Sequence, residues 1–454
     1  MKHSMKQLLQ SRVRLTAIMA CCLGGSVQAA PPCVTLKQIE GTWWTVSPDG
    51  KPFVSIGINH VEPQLLLGPH NLRQSYAKYG ADLTHWNREF NPDGAAARKW
   101  IAEVKSNFDR WGFDTFAFHT AVPFSLVKDT HYFIARIRSA SLELYCPIKE
   151  YLDPFTDAFA ARVDEACKGV AMQWANEPRL LGYALVDLPP WQLKNNFENP
   201  WVNALQRLDA DTPGKQMWIE VLRQNYASPA AAEEVYTLGA YTWEALARHT
   251  EWQNVRDANK ARRDVEAMLT RIIERWCRLH HDSIRKYDAH HLILGDKVLP
   301  NAIPGAWPVI GKYYDLINVQ WYATFDQQKA LLADIHAKTG KPILLGDSSF
   351  SFVKPYQDGA KGVHVASQDA VGDAYFDYMK AAMAVPYVIG WHYCGYMEGQ
   401  RGMQSPDTAE DRQNGFLDPF GRPFEYTLKR VTEANHQAQR WHEQSAASAA
   451  KQTR

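Results

Sequence analysis

Leu180-Leu181-Gly182-Tyr183-Ala184-Leu185-Val186 carries no charge along its length and runs straight into Asp187-Leu188-Pro189-Pro190-Trp191. A strand that is apolar on both faces has to be covered on both faces, the condition of a parallel sheet packed between helices. A stretch of helical character, about 156–174, precedes it. The same grammar recurs on either side. Upstream, Trp100, Ile101, Val104, Phe108 and Trp111 fall at helical spacing, Gly112 stops that helix, and Phe113 to Phe118 reads as a strand ending at His119-Thr120. Downstream, a long helix from about 259 to 286 carries Val265, Met268, Leu269, Ile272, Ile273 and Trp276 on one face and leads into His291 to Gly295. Asp315 to Gln320 is followed by a helix with Leu331, Leu332 and Ile335 that Gly340 closes. Ile343 to Leu345 then ends at Gly346-Asp347, and a helix through Tyr375 to Met383 precedes Tyr387 to Trp391.

Eight strands are counted in this way, beginning at residues 53, 113, 132, 180, 291, 315, 342 and 387. Eight apolar strands alternating with amphipathic helices predict an α/β fold of the (β/α)8 TIM-barrel type rather than an open doubly wound sheet. No Gly-rich phosphate loop follows any of the strands, which removes the main expectation of a dinucleotide-binding chain. Two apolar runs around Ser47-Pro48-Asp49-Gly50 predict a short N-terminal β-hairpin ahead of the first barrel strand. Between strands four and five, the segment 192–252 is a long polar and aromatic excursion with Trp201, Trp218 and Trp243, expected to stand over one end of the barrel as a lid or subsite wall. The predicted organisation is a single barrel over 30–444 with a disordered Ser/Ala-rich tail over 445–454.

Composition bounds the function. Of 454 residues, 46% are hydrophobic and 12% aromatic, enough to build a large core and to exclude wholesale disorder. Fifty basic against 49 acidic residues give no reason to expect nucleic acid or an anionic membrane surface as a partner, and no later apolar run reaches the ~20 residues of a transmembrane segment. The N-terminus reads as an export signal: Lys2, Lys6, Arg12 and Arg14, then an apolar run from Leu15 to Leu23, then Val27-Gln28-Ala29 for cleavage. Residues 1–29 are thus expected to be a signal peptide, and the protein periplasmic or extracellular; Ile18-Met19-Ala20-Cys21 loosely fits a lipoprotein box that would anchor Cys21. Cys33, Cys146, Cys167, Cys277 and Cys394 remain after cleavage, with no CxxC pair; Cys146 with Cys167 is one conceivable disulfide.

In a TIM barrel the active site is built from the C-terminal strand ends. Those ends hold Asn59, His60 and Glu62; His119; Asp187 and Trp191; Asp296 and Lys297; Gln320, Trp321 and Tyr322; Asp347; and His392, Tyr393, Tyr396 and Glu398. Carboxylates, imidazoles and flat rings around one mouth suit a poly- or oligosaccharide, with aromatics stacking on sugar faces and polar groups taking hydroxyls. Cleaving a glycosidic bond takes two carboxyl groups flanking it, and Asp187 and Asp347 are the pair chosen, with Asn59, His60, Glu62, His119, Trp191, Gln320, Trp321, Tyr322, His392, Tyr393, Tyr396 and Glu398 expected to bind substrate. No cofactor is called for. His60 and His119 lack the spacing of a metal motif, although a metal-dependent hydrolase using His60, His119 and Asp347 is a rival reading, as is a non-catalytic glycan-binding barrel. Asn176-Glu177-Pro178 looks like an acid/base triplet, but it precedes strand four and so falls at the wrong end of the barrel.

Trp43-Trp44-Thr45-Val46-Ser47-Pro48-Asp49-Gly50-Lys51-Pro52-Phe53, Ser55-Ile56-Gly57-Ile58-Asn59, Leu180-Leu181-Gly182-Tyr183, His291-Leu292-Ile293-Leu294-Gly295, Gly340 to Gly346, Gly390-Trp391-His392-Tyr393 and Asn414-Gly415-Phe416-Leu417-Asp418 together resemble secreted β-agarase-like glycoside hydrolases over about residues 40–440. The resemblance implies a barrel of the retaining glycosidase clan acting on β-linked galactans or related polysaccharides. Two departures stand out. Where the family reaches Asn-Glu after strand four, this chain has Asp187-Leu188, and where the family has Gly-Glu after strand seven, it has Gly346-Asp347. An aspartate carboxyl is retracted by roughly 1.5 Å relative to glutamate, so the stereochemical outcome is left open, with inversion among the alternatives.

Overall fold

Eight parallel strands close on themselves in the computed structural model, which describes residues 32–83, 94–143, 148–354, 362–399 and 414–452. In chain order, after β1 (Thr35–Ile39), β2 (Thr42–Val46) and β3 (Pro52–Phe53), the barrel strands are β4 (Ser55–Asn59), β5 (Thr115–Phe116), β6 (Tyr132–Arg136), β7 (Leu180–Asp187), β8 (Ile293–Val298), β9 (Ile317–Gln320), β10 (Ile343–Ser348) and, beyond the short pair β11 (Phe350–Ser351) and β12 (Val363–His364), β13 (Val388–Cys394). Each pairs with its sequence neighbour, and β13 returns to β4 through Gly390↔Ser55 and Cys394↔Asn59. All eight expected strands are therefore present. They start within two residues of the sequence reading because an apolar run entering a buried sheet leaves little freedom of register.

The helices follow the same logic. Ala95–Trp111 ends where Gly112 takes the left-handed conformation at φ 78°, and its C-cap N–H bonds Phe108. Asp157–Trp174 is capped by Thr156, whose side chain accepts from Phe159 N–H, and Ala258–Tyr287 by Asp257, accepting from Lys260 N–H. The hairpin is present as Thr42–Val46 pairing antiparallel with Pro52–Phe53, and a further strand, Thr35–Ile39, extends it to three. Leu36, Trp43 and Phe53 from this small sheet, with Val34 just ahead of it, pack on the residues that fill the barrel, among them Leu181, Leu294, Leu344 and Ile389. Those side chains close the end opposite the C-terminal strand ends, leaving chemistry to the other.

The excursion 192–252 forms four short helices, Pro200–Gln206, Pro213–Asn225, Pro229–Tyr236 and Trp243–Arg248. Three hydrogen bonds fasten it to the long helix Ala258–Tyr287: Asp264 accepts from Tyr226 (2.6 Å), Tyr236 (2.7 Å) and Asn225 (2.7 Å). Lys215, buried within the excursion, donates to the carbonyls of Gln206 and His249, each at a helix C-terminus. The described residues all belong to one compact unit, Pro32–Arg454. The last helix, Glu425–Gln452, carries helical backbone into the segment read from sequence as a tail.

The expected signal peptide, Cys21 and Cys146 lie outside the described residues. Among the described residues Cys33, Cys167 and Cys277 are in no disulfide, and Cys146, the conceivable partner of Cys167, lies outside those residues. Among the described residues no helix is long and apolar enough to cross a membrane.

Candidate active site

Asp187 ends β7, Lys297 lies on β8 and Asp347 on β10, and their side chains meet at the C-terminal mouth of the barrel. The Lys297 ammonium is 2.6 Å from Asp347 Oδ2 and 3.1 Å from Asp187 Oδ2. Sharing one ammonium at those distances puts the two Oδ2 atoms no more than about 5.7 Å apart. Lys297 is fully buried, 0% exposed, and the aspartates are 2% exposed, so the ammonium underlies the pair. Its Nζ also stands 4.4 Å over the Phe118 ring.

The remaining contacts distinguish the two acids. Tyr322 donates to Asp347 Oδ1 at 2.8 Å, so both Asp347 oxygens hold a donor. Burial works to raise the Asp347 pKa, but the Lys297 charge and hydrogen bond, with His60, outweigh burial and Asp187 and hold it below the usual carboxylate value. Asp187 Oδ2 bonds His119 Nε2 at 2.5 Å, whereas its Oδ1 is buried and has no protein partner among the described residues. Burial first, then the positive charges of His60, Lys297 and Arg136, push the His119 pKa well below 6.5, so this ring is neutral. For Lys297, burial pulls downward and the two aspartates more than compensate, keeping it an ammonium.

His60 and His119 stack at 4.5 Å between centroids and 9° between planes, and His60 Nδ1 lies 3.2 Å from Glu62 Oε1. His60 (φ 56°), His119 (φ 58°) and Leu188 (φ 57°) each take the left-handed backbone, just past β4, β5 and β7. Such conformations cost a non-glycine residue about 1–3 kcal/mol and gather where side chains must be aimed at a ligand. Gln320, at the end of β9, leaves its Oε1 buried without a partner among the described residues. Trp321 is half-buried, its backbone N–H donating to the backbone carbonyl of Asp347.

Sequence reading thus brings Asp187, Asp347, His60, His119, Glu62, Gln320, Trp321 and Tyr322 to one mouth. The other expected binding residues are elsewhere. Trp191 is fully buried, one face stacked on Trp201 at 5.8 Å with Trp276 against its edge, and offers no platform. Asn59 is a brace: its amide donates to Gly346 O at 2.8 Å and accepts from Phe118 N–H at 2.8 Å. His392 points down into the barrel, bonded to Ser55 Oγ at 2.9 Å, and burial pushes its pKa down to about 3. Tyr393 packs against Phe416 and donates to Phe350 O, while Tyr396 bonds Asn107 behind the strands. Glu398 is wholly buried against Lys354 at 2.5 Å. Strand alternation explains several of these: neighbours in a strand face opposite ways, so Asp296 turns to Trp276 and Tyr314 outside while Lys297 turns in.

Two residues were given no role by sequence. Lys297 stood among the strand ends, but nothing in spacing reveals that it would reach both acids. Cys394, the last residue of β13, lies close enough that one ligand atom each from it, His60 and Asp347 all fall within 4.8 Å of one another. His119 belongs with Asp187 instead, so the trio His60, His119 and Asp347 does not form as the metal-hydrolase reading expected. Glu177 pairs with Lys128 at 2.7 Å ahead of β7, away from the mouth.

The chain resembles a β-agarase in sequence, and solved agarases share its barrel fold. It is 23% identical over 366 residues to beta-agarase B of Vibrio sp. (strain JT0107), an alignment covering 77% of this chain and 37% of the relative. The chain therefore spans little more than a third of that curated relative. A solved exo-beta-agarase superposes with a TM-score of 0.75 at 18% identity, covering 91% of this chain and 66% of the other. An agarase named AgWH50C gives 0.73 at 18% identity with the same coverage. No protein-family model matches the chain.

Proposed function

We propose that this protein is a glycoside hydrolase acting on a polysaccharide, with a galactan of the agarose type as the first candidate. The observation that carries the reading is the convergence of Asp187 and Asp347 on one mouth, held by a common ammonium. Asp347, kept anionic by Lys297 and Tyr322, is the group to attack the anomeric carbon and form a glycosyl ester. Asp187 is the proton donor to the leaving oxygen through Oδ1, which has no other partner among the described residues. A neutral His119 carrying its proton on Nε2 donates to Asp187 Oδ2 in either protonation state and so leaves the transferable proton to Oδ1. In the second half, Asp187 takes a proton from the water that cleaves the ester. The close spacing favours this retaining course over inversion.

Trp321 and Gln320 are the proposed sugar contacts nearest the acids, and the excursion 192–252 the proposed wall of the more distant subsites. Export to the periplasm or beyond, proposed from the pattern in residues 1–29, would put the enzyme where polysaccharide is met.

One observation favours a second reading, a barrel that binds glycan without cutting it: the shared ammonium stabilises both acids as carboxylates, a state with no proton to give. A polysaccharide panel that includes agarose, assayed for reducing ends with product anomers followed by NMR, separates the two. Hydrolysis that falls about 10²–10⁴-fold or more in Asp347→Asn and in Asp187→Asn is expected. Sugar binding by calorimetry with no release over long incubation would leave only the binding barrel.

A further inference from the structure

His60, Asp347 and Cys394 come from the ends of three different strands, β4, β10 and β13, and present a nitrogen, a carboxylate oxygen and a thiol sulfur within 4.8 Å of one another. We propose that these three side chains form a binding site for a thiophilic divalent cation of the zinc and cadmium kind, placed directly on the carboxylate at the mouth. The donor set is that of a zinc-type site, whose bonds of about 2.0–2.3 Å require ligand atoms slightly closer than they stand here.

Independent support lies one step out. Glu62 Oε1 sits 3.2 Å from His60 Nδ1, the carboxylate-to-imidazole contact that orients a metal-bound histidine and makes it more basic. The left-handed backbone at His60 aims that ring, a strain that a bare packing role does not explain. Softness decides the cation: a thiolate with an imidazole selects zinc or cadmium over magnesium or calcium, which want oxygen. On binding, the Cys394 thiol gives its proton to the buffer, so one proton is released per cation. The Lys297 ammonium, 2.6 Å from Asp347 Oδ2, opposes binding by charge. With the thiolate formed, however, Asp187, Asp347, Lys297, Cys394 and the cation together come to neutrality.

Cation binding stands on geometry alone; only its consequence rests on the proposed hydrolase. A cation on Asp347 would occupy the attacking oxygen and switch cleavage off, reversibly on chelation.

The test uses the full chain and cadmium or zinc chloride alone. Isothermal calorimetry should give one site per chain, and cadmium should bring up a thiolate charge-transfer band in the ultraviolet. Cys394→Ser should abolish the band and weaken binding by more than the 10–100-fold expected for Glu62→Gln, while keeping basal hydrolysis. Lys297→Met, by removing the neighbouring positive charge, should tighten binding. No stoichiometric binding to a folded wild type, or binding that Cys394→Ser leaves unchanged, overturns the site. Binding with hydrolysis undiminished overturns only its consequence, and binding in a chain that cleaves no glycan leaves the site standing while removing the hydrolase.

Discussion

Replacing Lys297 with methionine removes one charge and keeps most of the volume, and the consequence is calculable. Two carboxylates about 5 Å apart at an effective dielectric of ~20 repel by about 3 kcal/mol, equivalent to about two pK units. In the wild type that repulsion is offset by the ammonium, and Asp347 lies below its ordinary value. The sign follows directly. A depressed carboxylate keeps its charge above its folded pKa and loses it only as pH falls through that value, so the acid limb of wild-type activity lies below ~3.9. In Lys297→Met the pair must share a proton at higher pH, and the limb moves up by about two units. The kcat/KM profile from pH 3 to 8 reads this, and carboxyl 13C shifts followed through the same range report the pair without relying on turnover. Stability should fall by about 3–5 kcal/mol, the usual cost of leaving a buried partner uncompensated, so circular dichroism and a thermal melt must first show a folded variant. A folded Lys297→Met whose acid limb and carboxyl titration coincide with the wild type would refute the idea that this ammonium sets the charge of the pair.

Other perturbations follow from single contacts. Tyr322→Phe deletes the hydrogen bond on Asp347 Oδ1; a bond to a charged group is worth about 1.5–3 kcal/mol, so kcat/KM should drop about ten- to a hundredfold and the acid limb should rise slightly. Lys215→Met strips the donor from two helix-terminal carbonyls inside the excursion, and urea unfolding should register a loss of about 1–3 kcal/mol. Gly346→Ala would drive a Cβ into the Asn318 side-chain oxygen; because Gly346 precedes Asp347, the backbone must shift, and activity should fall further than a thermal melt alone accounts for.

The barrel was legible because its evidence is periodic. Each strand is an apolar run too short to be a helix, each helix has one apolar face, and Gly112 and Gly340 stop helices with the φ > 0 that glycine tolerates. The site was legible only as far as strand ends could be located. Asp187 and Asp347 were found because each is the first charged residue after its apolar run. Trp191, Tyr393 and Tyr396 were misplaced because the residues past a strand end can turn outward as easily as inward. The direction is settled by partners such as Trp201, Phe416 and Asn107 that come from distant parts of the chain. Lys297 and Cys394 illustrate the deeper limit: their meaning lies in what they meet across the barrel, which no local pattern records.

The shared ammonium bears on how an aspartate can stand at position 347, where the resemblance implies a glutamate, facing a second aspartate at 187. A short side chain keeps each carboxylate close to its own strand and in dry surroundings, where two like charges cannot coexist without a counterion. Lys297, rising between them from β8, is that counterion, and it gives the proposed reaction a direction. While Asp347 is charged, its negative charge and the ammonium act on Asp187 with opposite sign. Once Asp347 becomes a glycosyl ester, its charge is gone and Lys297 faces Asp187 alone, favouring the carboxylate that must take a proton from water. The same lysine that argues for a silent binding barrel when the site is empty is thus the group that would prepare Asp187 for the second half of hydrolysis. A kinetic consequence separates the two roles: with an activated substrate that needs no protonation to depart, Lys297→Met should slow breakdown of the intermediate more than its formation. The burst of released aglycone should then grow relative to the steady rate, whereas an inert barrel gives no burst in either form.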